Sequence, residues 1–306
     1  MSTLSVCIPI YNSDVRTLVQ TLCAQIDALA TSQVDIVLID DASDLPFKQC
    51  NQFTASYVRT IDLPENVGRS KIRNAFLNHT DADYLLFIDG DSSIVATDFL
   101  AKYLTKLATN RIDVLVGASC YAAQKPEPRF RLRWQYSSKR ESLNDEQRMR
   151  SQHAGFKTNN FIIRRSILAQ FPFEERLTGY GHEDTHFGLQ LQANHIPIEH
   201  IDNPVWNLKL DTNEEFLTKT DSALRNLLWL KRNAASFRIE ESNRLLKGYI
   251  LVSKNSFLKL LFKWLSFNES ILAQMLRTGR APLFIFDLYR LSRLEKLDKE
   301  APNDLR

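Results

Sequence analysis

Residues 84–94 read YLLFIDGDSSI, and the fold of the chain turns on them. Five interior-type residues, Tyr84–Ile88, end abruptly in two carboxylates, Asp89 and Asp91, with Gly90 between them. A short apolar run bounded by turn residues predicts a buried strand. Ionised groups at the rim of an interior are costly unless something pairs with them, so the two aspartates ask for a partner.

Similar runs lie on either side: LSVCIPI at 4–10, VDIVLID at 34–40, YVRTIDL at 57–63, IDVLVGAS at 112–119, NNFIIR at 159–164 and IPIEHIDNPVW at 196–206. Helical patterns at 15–29, 69–78 and 97–108 separate them, and another helix begins in TGYGHEDTHFGLQLQ. Strands alternating with helices predict βαβ units, an α/β protein whose mostly parallel sheet is flanked by helices. Strands covered on both faces read as continuously apolar, as these do. In such sheets ligands bind beyond the carboxyl ends of the strands. The residues there are Tyr11 and Asn12 after the first run, Asp40 and Asp41 after the second, and Asp89 and Asp91 after the fourth.

Composition narrows the class. With 306 residues, 44% hydrophobic and 25% charged, the chain has the makeup of a globular protein with room for a large core. A net charge of +3 and the lack of a basic tail or zinc-finger spacing argue against nucleic acid as a partner. Four cysteines without a CxxC pair suit a reducing compartment. The N-terminal residues do not form a secretory leader, and no window holds eighteen uncharged apolar residues, so a cytoplasmic protein without a membrane span is expected.

Residues 121–156 are Arg-rich without a clear apolar period, an excursion expected to hold a helix near 144–150. It reads as a solvated loop or as a lid with Trp134 and Tyr136 available to stack on the flat face of a ligand. After Lys209 the chain reads as helical, giving an expected division into a catalytic domain at 1–207 and a helical extension at 208–306. Between Lys247 and Arg280 six basic residues face one acid, Glu269, and Asn255, Lys259, Lys263 and Ser266 form one narrow polar stripe. Such a helix can lie at the surface of an anionic bilayer, or pack against the rest of the chain or a second copy in a homodimer.

The acidic clusters carry the chemistry. Two aspartates on a tight turn can hold a hard divalent cation that keeps positions open for water and phosphate, and that cation would stabilise a diphosphate as it leaves. Taken alone, the triplet also reads as turn aspartates capping the next helix. Asp40 and Asp41 offer acceptors to a base or ribose, or form an Asx-turn with Ser43. In ENVGRSKIRN, Gly68 starts a helix with Arg69, Lys71 and Arg73 behind it, a setting for an anion or a solvated basic face. Glu183 and Asp184 fall in the first turn of a helix, where the dipole favours the ionised carboxylate and Asp184 can accept a proton from an attacking hydroxyl. His182, Glu183 and His186 also match H-E-x-x-H, a zinc-hydrolase pattern, but no third ligand follows at the usual spacing.

Six segments in order, SVCIPIYN, VDIVLIDDAS, ENVGRSKIRN, LLFIDGDS, NNFIIRR and GYGHED, resemble those of family 2 glycosyltransferases over roughly residues 4–206. The resemblance implies a GT-A fold, a nucleotide-sugar donor such as a uridine diphosphate sugar, a divalent metal (Mn2+ or Mg2+), inversion at the anomeric carbon, and a saccharide or lipid-linked acceptor. By position, Pro9, Tyr11, Asp40 and Asp41 resemble nucleoside-binding residues, and Arg73 the arginine near the nucleotide. Asp91 resembles the direct metal ligand and Asp89 the acid nearer the ribose and metal waters. Asn159 and Asn160 fall where the family contacts the donor sugar. Asp184 matches the base, with Glu183 beside it orienting the acceptor. One departure stands out: many relatives place a histidine metal ligand where this chain has Asn207, a weaker donor, which leaves room for a sugar-nucleotide-binding protein with weakened turnover.

Overall fold

The structure, a computed structural model, describes residues 2–109, 111–141, 153, 156–207, 209–234, 237, 239–255 and 267–300. The chain divides into two compact units. The first comprises Met1–Ala122, Leu143–Arg176 and Glu183–Lys209, and the second Ala123–Ser142, Leu177–His182 and Leu210–Arg306.

The first unit is built on a seven-stranded sheet. Its strands are β1 (Leu4–Ile10), β2 (Val34–Asp40), β3 (Val58–Asp62), β4 (Tyr84–Ile88), β6 (Val114–Val116), β8 (Asn160–Arg164) and β9 (Ile198–His200), in the order β3-β2-β1-β4-β8-β6-β9. The pairs β1–β2, β1–β4, β2–β3 and β6–β9 are parallel, and β8 runs antiparallel to both β4 and β6. The apolar runs become the central strands because helices cover both faces. β1 and β4 are buried almost throughout, whereas edge strand β3 is half-exposed or exposed at every position.

The helix Arg16–Leu29 covers one face with Leu18, Val19, Leu22 and Ile26, and closes at Ala30 in the left-handed conformation (φ 47°). Phe99–Thr109 adds Phe99, Leu100, Tyr103 and Leu107 to the same core. An aromatic cluster lies on the other face: Phe87 stacks on Phe161 at 5.0 Å between ring centroids, and Phe173 on Phe187 at 4.1 Å. Burying each such ring stabilises the fold by roughly 1.5–3 kcal/mol. The predicted helix at 69–78 is Arg69–Ala75 followed by a single 3-10 turn, Phe76–Asn78.

Three short strands form a second sheet in this unit, β5 (Ser92–Ser93), β7 (Ser119–Tyr121) and β10 (Val205–Asn207), with β10 in the middle. The run at 196–206 is thus two strands, β9 and β10, in different sheets.

The second unit is helical. Its longest helix, Asn213–Asn233, starts in a capping box in which the Thr212 hydroxyl accepts the Glu215 N–H and the Glu215 carboxylate accepts the Thr212 N–H. Such caps contribute about 1 kcal/mol. Leu132, Phe216, Leu217, Leu272, Leu276, Phe286 and Tyr289 form the core. Tyr136, expected to be free for a sugar face, packs against Phe216 and Phe286 with ring centroids 5.5 Å away. Its apolar body is satisfied in this core. The expected helix near 144–150, and the stripe residues Lys259, Lys263 and Ser266, lie outside the described residues. Among the described residues no helix is long and apolar enough to cross a membrane.

Candidate functional site

The acidic turn after β4 is fastened to its neighbours through its backbone. The Ser92 N–H donates to the Asp89 carbonyl at 3.0 Å, and the Asp89 N–H to the Asn159 carbonyl at 3.2 Å. A Cβ on Gly90 would meet Val15 Cγ1 at 3.1 Å and the Pro9 carbonyl at 3.2 Å, so glycine lets the turn close onto the end of β1. Pro9 thereby lines the base of the turn, and Tyr11, two residues on, is 56% exposed. Asp91 is exposed as well, and β5 begins just after it.

The Asp40–Asp41 pair divides its labour. Asp40 is buried and accepts the Ser43 N–H, three residues on, at 2.6 Å, one residue further than the expected Asx-turn reaches. Asp41, also buried, accepts the Val67 N–H at 2.6 Å and the Gly68 N–H at 3.1 Å, which ties the β2 end to the start of the helix Arg69–Ala75. A carboxylate has about four acceptor sites, and these two bonds use half of them. Gly68 takes φ +83°, a conformation glycine accepts without strain.

Behind the turn, Arg73 is only 1% exposed. Its Nη2 donates to Asp89 Oδ1 at 2.7 Å and its Nη1 to the Arg69 carbonyl at 3.0 Å, with the guanidinium 5.9 Å from the Phe173 ring centroid. Burial lowers the pKa of Arg73 from its ordinary value, opposed by the Asp89 charge. Arg73, expected near the nucleotide, backs Asp89 from the interior. Arg69 completes the cluster, with Nε 2.5 Å from Glu183 Oε1 and Nη2 3.5 Å from Asp89 Oδ2.

Glu183 and Asp184 open the helix Glu183–Ala193. Glu183 is buried in its ion pair with Arg69. Asp184 keeps a partly exposed carboxylate, with Lys157 Nζ 3.2 Å from Oδ2 and the Thr185 N–H 2.7 Å from Oδ1. Phe187 and Leu191 anchor this helix in the core, and a side chain at Gly188 would come within 2.7 Å of the His153 carbonyl. His182 precedes the helix with φ 69°. His182 therefore lies outside the helix that carries His186. Burial holds His186 below the usual histidine pKa.

Asn160, expected beside the donor sugar, is fully buried. Its Oδ1 accepts the Tyr103 hydroxyl at 2.7 Å, and its Nδ2 donates to the carbonyls of Ala118 at 3.1 Å and Asn203 at 2.8 Å. Those bonds commit the amide to joining β8 with its surroundings. Asn159 is half-buried and hydrogen-bonds Ser119 Oγ at 2.7 Å through Nδ2. Asn207 sits in β10, paired with Ser92 on one side and Tyr121 on the other. The residues missed by sequence reasoning are Ser92, whose buried hydroxyl has no hydrogen-bond partner among the described residues, and Lys157. Arg69 was visible in its motif but not its pairing with Glu183, 114 residues away.

The strand order, with acidic residues along the carboxyl rim of β2 and β4 and at the start of a following helix, defines a GT-A fold. Residues 5–171, more than half of the chain, match the family described as Glycosyl transferase family 2, and the chain belongs to that family. Two curated relatives are similar. A teichoic acid poly(glycerol phosphate) polymerase of Staphylococcus epidermidis is 28% identical over 49% of this chain, and glycosyltransferase GlyA of Streptococcus pneumoniae is 27% identical over 42%. The aligned parts make up only 21% and 18% of those proteins.

Among solved structures, a mannosyltransferase from Pyrobaculum calidifontis in complex with GDP-Man and Mn2+ has a TM-score of 0.59 at 12% identity, covering 99% of this chain and 88% of that one. S. aureus TarS 1-349 in complex with UDP gives 0.52 at 19% identity, covering 99% and 93%. Glucosyl-3-phosphoglycerate synthase from Mycobacterium tuberculosis, with Mn2+, UDP and phosphoglyceric acid, gives 0.51 at 19%, covering 74% and 78%. At these identities the likeness is one of fold.

Proposed function

We propose that the chain transfers a sugar from a nucleoside diphosphate donor, a uridine diphosphate sugar in the first instance, to a hydroxyl of a saccharide or lipid-linked glycan, with inversion. The observation that carries this reading is the Asp89–Arg69–Glu183 chain of ion pairs, which links the acidic turn after β4 to the helix bearing Asp184. Family membership supplies the reaction class.

Asp184 is the general base, and its partly exposed carboxylate can meet an acceptor hydroxyl and take its proton as the oxygen attacks. Glu183 and Lys157 hold the surroundings of that carboxylate. Asp41, with acceptor capacity to spare, receives a donor N–H from the base, while Pro9 and exposed Tyr11 border it and Asp40 keeps the loop in shape. Asn159 stands nearest the sugar, and Arg73 orients Asp89.

A divalent metal fits the donor set. Asp89, Asp91 and the Asn207 amide would be hard oxygen ligands, and Ser92, whose buried hydroxyl has no hydrogen-bond partner among the described residues, follows Asp91 in sequence and pairs with Asn207 in the small sheet. Among the described residues no three His, Cys, Asp or Glu side chains come together as a metal cage. Mg2+-type sites complete their shell with water and phosphate, so few protein ligands suffice. When bound, Mn2+ or Mg2+ supplies Lewis-acid stabilisation of the leaving diphosphate.

The experiment is a screen of nucleotide sugars with Mn2+, reading release of nucleoside diphosphate. Release from at least one donor supports the reading. Binding of nucleotide without any release from any donor replaces it with a binding protein, the course to which Asn207 points.

A further inference from the structure

We propose that Arg69 is a positioning residue for the transfer reaction, a single guanidinium that clamps the first turn of the helix carrying Asp184 to the acidic turn after β4. The inference rests on the glycosyltransferase reading above. Arg69 Nε lies 2.5 Å from Glu183 Oε1 and Nη2 lies 3.5 Å from Asp89 Oδ2. Glu183 is buried, and an ionised carboxylate in that setting needs a charged, hydrogen-bonded partner. Glu183 and Asp184 are consecutive in one helical turn, so fixing the first sets the direction of the second.

The rest of the helix is held by other means. Phe187 stacks on Phe173, and Gly188 leaves no room for a side chain against the His153 carbonyl. Those contacts secure the second turn, and Arg69 secures the first. Arg69 is itself braced, since buried Arg73 donates to its carbonyl at 3.0 Å and to Asp89 at 2.7 Å. A guanidinium presents a planar fork that addresses two carboxylates at once, whereas a lysine ammonium is a point charge on a flexible stem.

The test compares wild-type protein with Arg69→Leu and Arg69→Lys. The measurements are kcat and KM with a donor that the wild type turns over, the Kd of UDP in the presence of Mn2+, and amide hydrogen exchange across residues 183–190. Arg69→Leu is expected to lower kcat by about 10²-fold, the scale of a small misplacement of a reacting group. KM and the UDP Kd stay within about threefold, because Asp89 keeps its shorter bond to Arg73 when the longer contact with Arg69 is lost. Exchange across 183–190 accelerates while the sheet stays protected, and Arg69→Lys recovers part of both effects.

An unchanged kcat overturns the inference, as does a loss of UDP affinity that matches the loss of kcat, which would make Arg69 a donor ligand. If the wild type turns over no donor, the enzymatic reading fails by itself. Exchange still decides the clamp, and unchanged exchange in Arg69→Leu overturns it. Should Arg69→Leu fail to fold, Arg69→Lys carries the same comparison.

Discussion

Asn207 stands directly across from Ser92 in the small sheet, so β10 runs alongside the residue that follows Asp91. A residue at this position can therefore help or hinder whatever binds at the acidic turn. If Asn207 is the weak member of a metal set, Asn207→His should tighten the Mn2+ requirement, since imidazole is the stronger donor. The half-saturating Mn2+ concentration is expected to fall about tenfold, equivalent to about 1.4 kcal/mol. Titration of nucleotide binding with Mn2+ by calorimetry measures it, and an unchanged requirement would separate Asn207 from the metal.

Asp184→Asn keeps the shape of the side chain and its neighbours but removes the proton acceptor. Turnover is expected to fall by about 10²–10⁴-fold, the usual contribution of a general base. Donor affinity should be unaltered, as steady-state kinetics and a binding titration together will show.

Asn160 distinguishes scaffold from ligand contact. Its amide joins Tyr103, Ala118 and Asn203 in the interior. Asn160→Ala leaves those buried groups unpaired and should cost about 2–4 kcal/mol of stability. Urea unfolding measures the loss, and donor affinity of the remaining folded protein should match that of the wild type.

Arg73→Met removes a buried cation from behind Asp89. The ion pair is 2.7 Å long and one partner is enclosed, so a loss of roughly 2 kcal/mol or more is expected at neutral pH. A denaturation midpoint indistinguishable from wild type would show that Asp89 does not depend on it.

His186 gives the fold a pH dependence. Burial depresses its pKa below the ordinary histidine value of 6.5, with Glu174 acting in the opposite direction. The unfolded chain binds the proton more readily, so the contribution is fully present above about pH 6.5 and is lost as pH falls toward the folded pKa. The urea midpoint of the wild type should drop between pH 7.5 and 5, and by less in His186→Gln.

Much of this architecture is written in local sequence. β1, β2 and β4 are recognisable because both faces are covered, which leaves no polar positions to interrupt the run. Direction is not encoded in that way: FIIR reads the same whether parallel or antiparallel, and β8 proves antiparallel. β5, β7 and β10, two or three residues each, are too short for any period to register. At the site, the acidic residues were visible as breaks after apolar runs. Their partners were not, because the Arg69–Glu183 pair depends on how the helix Arg69–Ala75 and the distant helix Glu183–Ala193 are brought together. The interior bonds of Asn160 were hidden for a similar reason, since an amide in a strand looks the same whether it faces a ligand or the interior.

The most direct measurement is sugar transfer itself, by wild type and Asp91→Ala, from a panel of nucleotide sugars with Mn2+ present or chelated. The expected result is nucleoside diphosphate released by the wild type only with metal, and release reduced to background by Asp91→Ala. Turnover that survives both chelation and the loss of Asp91 would contradict a mechanism built on the acidic rim of this sheet.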